Sequence, residues 1–270
     1  MNSPKEYVKT YNSQLDELFN KWEDTLPKEL KEKFCRDGLM LRPSGEDVNA
    51  LWENSIRRVA FLLKDKSDNS CDDIRNWLVN EGDVNSEFCR KLKGGIIGKT
   101  GFLPNIARLL YGLLNVSIEK PLGFSDVKYL DVVKTWNEAP VALIETKKNA
   151  GGKNVSDAKM KGTIERDNEL LKEELDILKA NILVCCDSND SQFEFVTDFY
   201  LKGKNHVKFE IEYPDVKTPC VYYYPEEMVA VIKSYHPTRS KGKPNWKVYE
   251  RVVCTLRKLF EKYPEPFEKL

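Results

Sequence analysis

A chain of 270 residues is long enough to bury a large core, and 41% hydrophobic with 32% charged residues excludes the disordered and fibrous classes. Lys plus Arg and Asp plus Glu are each 43, so no global field draws the protein onto DNA or an anionic membrane, and any nucleic-acid contact must use a local patch. The segment after Met1 is polar and no run approaches the ~20 apolar residues of a bilayer span, so neither secretion nor membrane insertion is expected. Val8, Tyr11, Leu15, Leu18, Phe19 and Trp22 recur at three and four, which predicts a helix that breaks at Leu26-Pro27. Pro43 to Asp47 supplies turn and cap residues before a second helical stretch through Leu51 and Ile56. Residues 1–56 therefore read as an N-terminal helical extension packed on a core of residues 57–270.

Arg58 to Leu63 is apolar almost throughout, as a strand buried on both faces must be. Pro140 to Ile144, Asn181 to Cys186 and Met228 to Ile232 repeat that character. Ile164 to Leu178, with Leu170, Leu171, Leu175 and Leu178 at helical spacing, reads as a crossover helix, and Tyr249 to Phe260 as a last helix. Val207 to Tyr213 alternates like a half-exposed edge strand. Strands alternating with helices predict a three-layer α/β/α domain around a central four-stranded, mainly parallel sheet. Seven cysteines without paired spacing, two of them adjacent in the third strand, argue against disulfides and for a reducing, cytoplasmic setting.

Ligands of open α/β sheets bind outside the carboxyl ends of the strands. Three polar turns stand there: Lys64 to Asn69, Glu145 to Gly152 and Tyr235 to Arg239. They offer carboxylates, ammonium groups and an imidazole, a set suited to a reaction or to holding a phosphate. Lys147-Lys148 and Arg239, with Lys241 and Lys243, could follow a phosphate backbone, with Trp246 and Tyr222 to Tyr224 as stacking partners. Each residue also has an ordinary structural reading: His236 as a strand-end histidine, Phe102 as core, Asp65 and Asp68 as helix caps, and the lysines as a solvated loop. His206, in a charged loop, is expected to be exposed and without a role.

His236-Pro237-Thr238 after the last strand resembles the His-Pro-Ser-like third motif of the uracil-DNA glycosylase superfamily, with Thr for Ser. Gly101 to Leu110 is similar to a segment of that superfamily's four-iron-cluster members, with Phe102, Ala107, Leu109 and Leu110 in register. The resemblance spans roughly Arg58 to Leu259, and the order of the short motifs carries more weight than any one of them. It implies a uracil-DNA glycosylase-like fold and a hydrolase that breaks the N-glycosidic bond of a uracil or another damaged base during DNA repair.

On that resemblance Phe102 stacks on the extruded base and His236 donates to it as negative charge develops. Asp65 or Asp68 orients water, while Lys64, Glu145, Lys148 and Arg239 contact the substrate. No metal, cluster or other cofactor is expected, because the cysteines lack ligand spacing. DNA, single- or double-stranded, is the expected partner of a monomer. The chain departs from the family where a base-reading Asn usually stands, here Glu145-Thr146-Lys147-Lys148-Asn149, and where a Gly-rich first motif usually stands, here Lys64 to Asp68. An ionised Glu145 accepts hydrogen bonds only, which suits an amino-bearing base edge better than the carbonyl of uracil. Two other classes fit the same residues: a noncatalytic nucleic-acid-binding protein on this fold, and an enzyme acting on free nucleotides or nucleosides.

Overall fold

The computed structural model describes residues 9–42, 44–64, 73–77, 102–150, 155–187, 190–210, 221–237 and 245–268. Helix α1 (Tyr11–Thr25) starts where the Thr10 side chain accepts the Ser13 N–H, and it ends before Pro27. A single turn, α2 (Lys28–Lys31), leads to the short strand β1 (Gly38–Leu39) and then to α3 (Val48–Glu53), capped by Asp47. Strand β2 (Val59–Leu63) follows, and Asp73 caps a 3-10 turn at Ile74–Asn76. Helices α4 (Phe102–Asn115) and α5 (Tyr129–Glu138) precede β3 (Ala142–Glu145). The crossover helix α6 (Asp157–Leu178) begins one turn or more earlier than its leucines indicate, at a Ser156 cap. Then come β4 (Ile182–Cys186), α7 (Ser191–Glu194) running into a π-turn at Phe195–Tyr200, β5 (Val207–Phe209), β6 (Val221–Tyr224), β7 (Val229–Ser234) and α8 (Asn245–Lys262).

These strands form one sheet in the order β1-β3-β2-β4-β7-β6-β5. Its centre is the expected parallel set, since β3, β2, β4 and β7 pair in parallel. The sheet is wider than the predicted four strands, seven among the described residues, because β1 adds antiparallel to β3 on one side and β6 and β5 add antiparallel beyond β7 on the other. A mainly parallel sheet flanked by helices on both faces is thus the architecture.

Alternation along the strands divides the core in two. Val59, Phe61, Leu63, Leu143, Val184 and Ile232 face α4, α5 and α8, whose Ile106, Leu110, Trp136, Val253 and Phe260 close that layer. Ala60, Leu62, Ile144, Leu183, Cys185 and Val231 face the opposite layer of α1, α3 and α6, with Phe19, Trp22, Trp52, Leu171 and Leu175. Every residue of β2 and β4 is buried, which explains why their sequences carry no polar alternation. The N-terminal segment covers the sheet and also supplies β1. At Gly38, φ is +107° and a Cβ would stand 2.6 Å from a Leu15 methyl, so only glycine lets the strand pass this close beneath α1.

Candidate functional site

Because β3, β2, β4 and β7 run parallel, their carboxyl ends meet at one rim of the sheet. Leu63 pairs with Glu145, and Cys186 with Ser234, so Glu145, Leu63, Cys186 and Ser234 form a row across that rim on the face covered by α4 and α8. Glu145 and Ser234 are nearly fully buried there. Two residues beyond Ser234, past the end of β7, comes His236. Its imidazole lies against Phe102, the first residue of α4, with ring centroids 6.1 Å apart and planes tilted by 35°.

A hydrogen-bonded chain fixes the His-Pro turn on α4. Asn105 donates its side-chain amide N–H to the Pro237 backbone carbonyl at 2.5 Å, and the Arg108 guanidinium one turn on donates to Oδ1 of Asn105 at 3.3 Å. Arg108 is itself buried and lies over the Phe124 ring, 5.6 Å to the centroid. Burial lowers its pKa to about 10, which leaves it cationic at neutral pH. Residues 132 positions apart are thereby held together by side-chain and backbone groups of defined geometry.

One residue further along the strands, Lys64, Thr146, Asp187 and Tyr235 follow Leu63, Glu145, Cys186 and Ser234. Thr146 donates its hydroxyl to the Leu63 carbonyl at 2.7 Å and accepts from the Gln192 side-chain amide at 3.1 Å. Gln192 in turn donates its backbone N–H to Oδ2 of Asp187 at 2.7 Å. Burial pushes the Asp187 carboxyl up to about 6; the Gln192 and Asp190 N–H groups and the Lys64 charge oppose that rise, and the Asp190 carboxylate adds to it. The Cys186 thiol is pushed far above its ordinary value by burial and then by the Asp187 and Glu145 charges, so it is an inert core group. Lys233 of β7 pairs with Asp190 at 2.6 Å, and the Arg251 charge reaches Tyr235 from α8.

The expected site residues separate into three groups. Lys64, Glu145, Phe102 and His236 come to the same rim. Asp65, Asp68 and Arg239 lie outside the described residues, as do Lys241, Lys243 and the Gly151-Gly152-Lys153 run. Lys148 departs from its expected role: instead of following phosphates it is buried, with Nζ 2.6 Å from Asp37 and 2.7 Å from Glu174, both carboxylates fully enclosed. Lys147 is buried too, its ammonium on the Asn149 carbonyl. The paired lysines therefore brace the protein interior rather than a solvated loop.

Tyr223 and Tyr224 are core residues, whereas Tyr222 packs edge-on against Phe193 and under His206, which is exposed as expected. Asp187, Gln192 and Asn105 were not singled out by sequence. A signal for Asp187 existed: it follows the third parallel strand directly, at the level where the other strands are followed by Lys64, Thr146 and Tyr235.

Among the described residues no cluster of three or more His, Cys, Asp and Glu side chains is arranged to hold a metal ion, and no helix is long and apolar enough to cross a membrane. No family model matches the chain, and no curated protein matches it.

Proposed function

We propose that the chain hydrolyses the N-glycosidic bond of a damaged or mispaired base in DNA, at the crevice between α4 and the carboxyl ends of β3, β2, β4 and β7. The observation that supports this most is the meeting of Phe102 with His236, an aromatic face beside an imidazole donor, above a rim that carries Glu145. An extruded base needs a stacking surface, a donor for the charge it acquires on leaving, and hydrogen bonds along its edge. Phe102, His236 and Glu145 serve those three needs in turn. Glu145 and Ser234 stand three strand spacings apart, roughly 14 Å at ~4.8 Å per spacing. The Glu145 carboxylate favours a base edge that carries an amino group, as in adenine, cytosine or a protonated damaged base.

The test is abasic-site formation on single- and double-stranded oligonucleotides carrying uracil, hypoxanthine, xanthine or alkylated bases, comparing wild type with His236→Ala. Cleavage that falls at least 100-fold in the variant supports the reading. Oligonucleotide bound without cleavage by the wild type would assign the crevice to recognition alone.

A further inference from the structure

Every buried backbone N–H needs a partner, so the place where a strand ladder breaks off is informative. β1 pairs Gly38 with Leu143 and Leu39 with Ala142, and an isolated antiparallel bridge joins Phe34 to Asn149. Between those two pairings, residues 35–37 of the N-terminal segment face residues 144–148 that run through the end of β3, three against five. The longer side is a bulge, and Glu145 lies in it.

Met40 donates its N–H to the Val141 carbonyl at 3.0 Å, and antiparallel bonded pairs recur at every second residue, so an unbroken ladder would give the Glu145 N–H to the Arg36 carbonyl. That carbonyl instead accepts the Ile74 N–H at 2.9 Å, and Glu145 donates its N–H to Oδ2 of Asp37 at 2.6 Å. A side-chain carboxylate has replaced a strand carbonyl. Lys148, at the end of the bulge, returns its ammonium to the same carboxylate, at 2.6 Å from Oδ1 and 2.7 Å from Oδ2, while its own backbone carbonyl accepts the Cys35 N–H at 2.6 Å. On the other edge, the Leu63 and Lys64 carbonyls accept the N–H groups of Thr146 and Lys147, each at 2.9 Å. Fully enclosed, Asp37 thus ties Glu145 to Lys148 across the bulge.

Resting on the proposed role of Glu145 at the base edge, we infer that Asp37 is a positioning residue for Glu145: it sets the bulge that fixes where the Glu145 carboxylate stands at the rim. Bulges beside active sites re-aim side chains in this way. On this inference the N-terminal segment helps to build the site as well as to cover the sheet.

The alternative is that Asp37 only fills the interior together with Lys148 and Glu174. Asp37→Asn and Asp37→Ala separate the two. The asparagine carbonyl oxygen still accepts the Glu145 N–H, with its amide N–H groups turned to Glu174, which lies within hydrogen-bond reach of Asp37; alanine offers no acceptor. Both variants lose the Asp37 charge and keep Glu174 as the counter-charge of Lys148 at 2.7 Å. A change shared by the two reports the charge cluster, and a difference between them reports the bond to Glu145.

Two readouts serve: hydrogen exchange of the Glu145 amide by NMR, and the ratio of kcat/KM for amino-bearing over carbonyl-edged bases in oligonucleotides. In D37A the amide should exchange about tenfold or more faster than in wild type and the ratio should fall about tenfold, with D37N recovering most of both. In an E145Q background D37A should move the ratio no further, because the positioned carboxylate is gone.

Equal exchange in wild type and D37A, an unchanged ratio in D37A, or a D37A effect that persists in full in the E145Q background overturns the inference and leaves the glycosidic reading standing. A wild type that opens no base in any oligonucleotide overturns the glycosidic reading, and the exchange comparison then decides by itself whether Asp37 places Glu145. Should D37A fail to fold, Asp37→Leu combined with Lys148→Met takes its place: apolar side chains in place of a buried ion pair are often neutral for stability, and leucine still offers Glu145 no acceptor.

Discussion

Replacing Lys148 by methionine would leave the Asp37 and Glu174 carboxyls buried in each other's company. Both are fully enclosed, and Lys148 meets them at 2.6 and 2.7 Å while its ammonium lies 5.3 Å from the Phe19 ring centroid and 5.2 Å from that of Trp22. Burial works against the lysine charge, but the two carboxylates outweigh it and hold its pKa above the ordinary value. Removing one partner of a buried ion pair costs about 3–5 kcal/mol. Asp37 still accepts the Glu145 N–H at 2.6 Å in the variant, and Glu174, already held above its ordinary value, relieves the site by taking up a proton. The low end of the range, about 3 kcal/mol, is therefore expected, a fall in Tm of roughly 6–12 °C at ~2–4 °C per kcal/mol for a chain of this size.

Glu174→Gln should behave differently. Burial first, and then the Asp37 carboxylate, hold Glu174 well above 4.5. A raised carboxyl keeps its proton in the folded state after the unfolded chain has lost it. Its contribution to stability is thus complete below 4.5 and is lost as pH rises through the raised value. Glutamine removes that pH dependence and should leave stability at pH 7.5 within about 1 kcal/mol of wild type, or above it. Thermal and urea unfolding of K148M, E174Q and the double variant from pH 4.5 to 8 would measure these terms. A wild-type Tm for K148M, or an E174Q loss as large as that of K148M, would refute the reasoning.

Asn105→Ala removes the link between α4 and the Pro237 carbonyl; a Tm loss of roughly 2–4 °C and a tenfold lower kcat are expected, read by calorimetry and single-turnover cleavage. Glu145→Gln turns an acceptor-only edge into a donor and acceptor, so the ratio of kcat/KM for carbonyl-edged over amino-bearing bases should rise by about tenfold or more; an unchanged ratio would remove Glu145 from base reading. In the folded protein at pH 8, Cys185 and Cys186 should resist alkylation, which mass mapping after a timed maleimide pulse would detect.

The parallel core was legible because strands buried on both faces have no choice but to be apolar end to end, as Val59 to Leu63 and Ile182 to Cys186 are. The edges were less so. β1 contributes two residues, Gly38 and Leu39, too few for any period to show, and β5 has three with mixed exposure. Lys64, Glu145 and His236 could be placed at one rim from strand order alone, whereas Phe102 entered only through the resemblance of residues 101–110. Lys147-Lys148 misled because adjacent lysines in a Gly-containing stretch look solvated, and the carboxylates that bury Lys148 are remote in sequence, Asp37 by 111 positions. Asp187 was hidden in the shadow of an apolar strand. Its burial and its contact with the Gln192 N–H, both set by tertiary packing, distinguish it from a routine strand terminus.

The pairing of Gly38 with Leu143, and of Asp37 with Lys148 and Glu174, has a consequence for synthesis. While the chain emerges from the ribosome, α1 and β1 are made before the elements they pack on. α1 lacks α6, β1 lacks β3, and Asp37 lacks its cation until more than a hundred further residues have been made. Isolated helices of this length are marginal in water, so the early segment must wait largely unstructured, with Phe19 and Trp22 uncovered. Late closure of such long-range contacts slows folding.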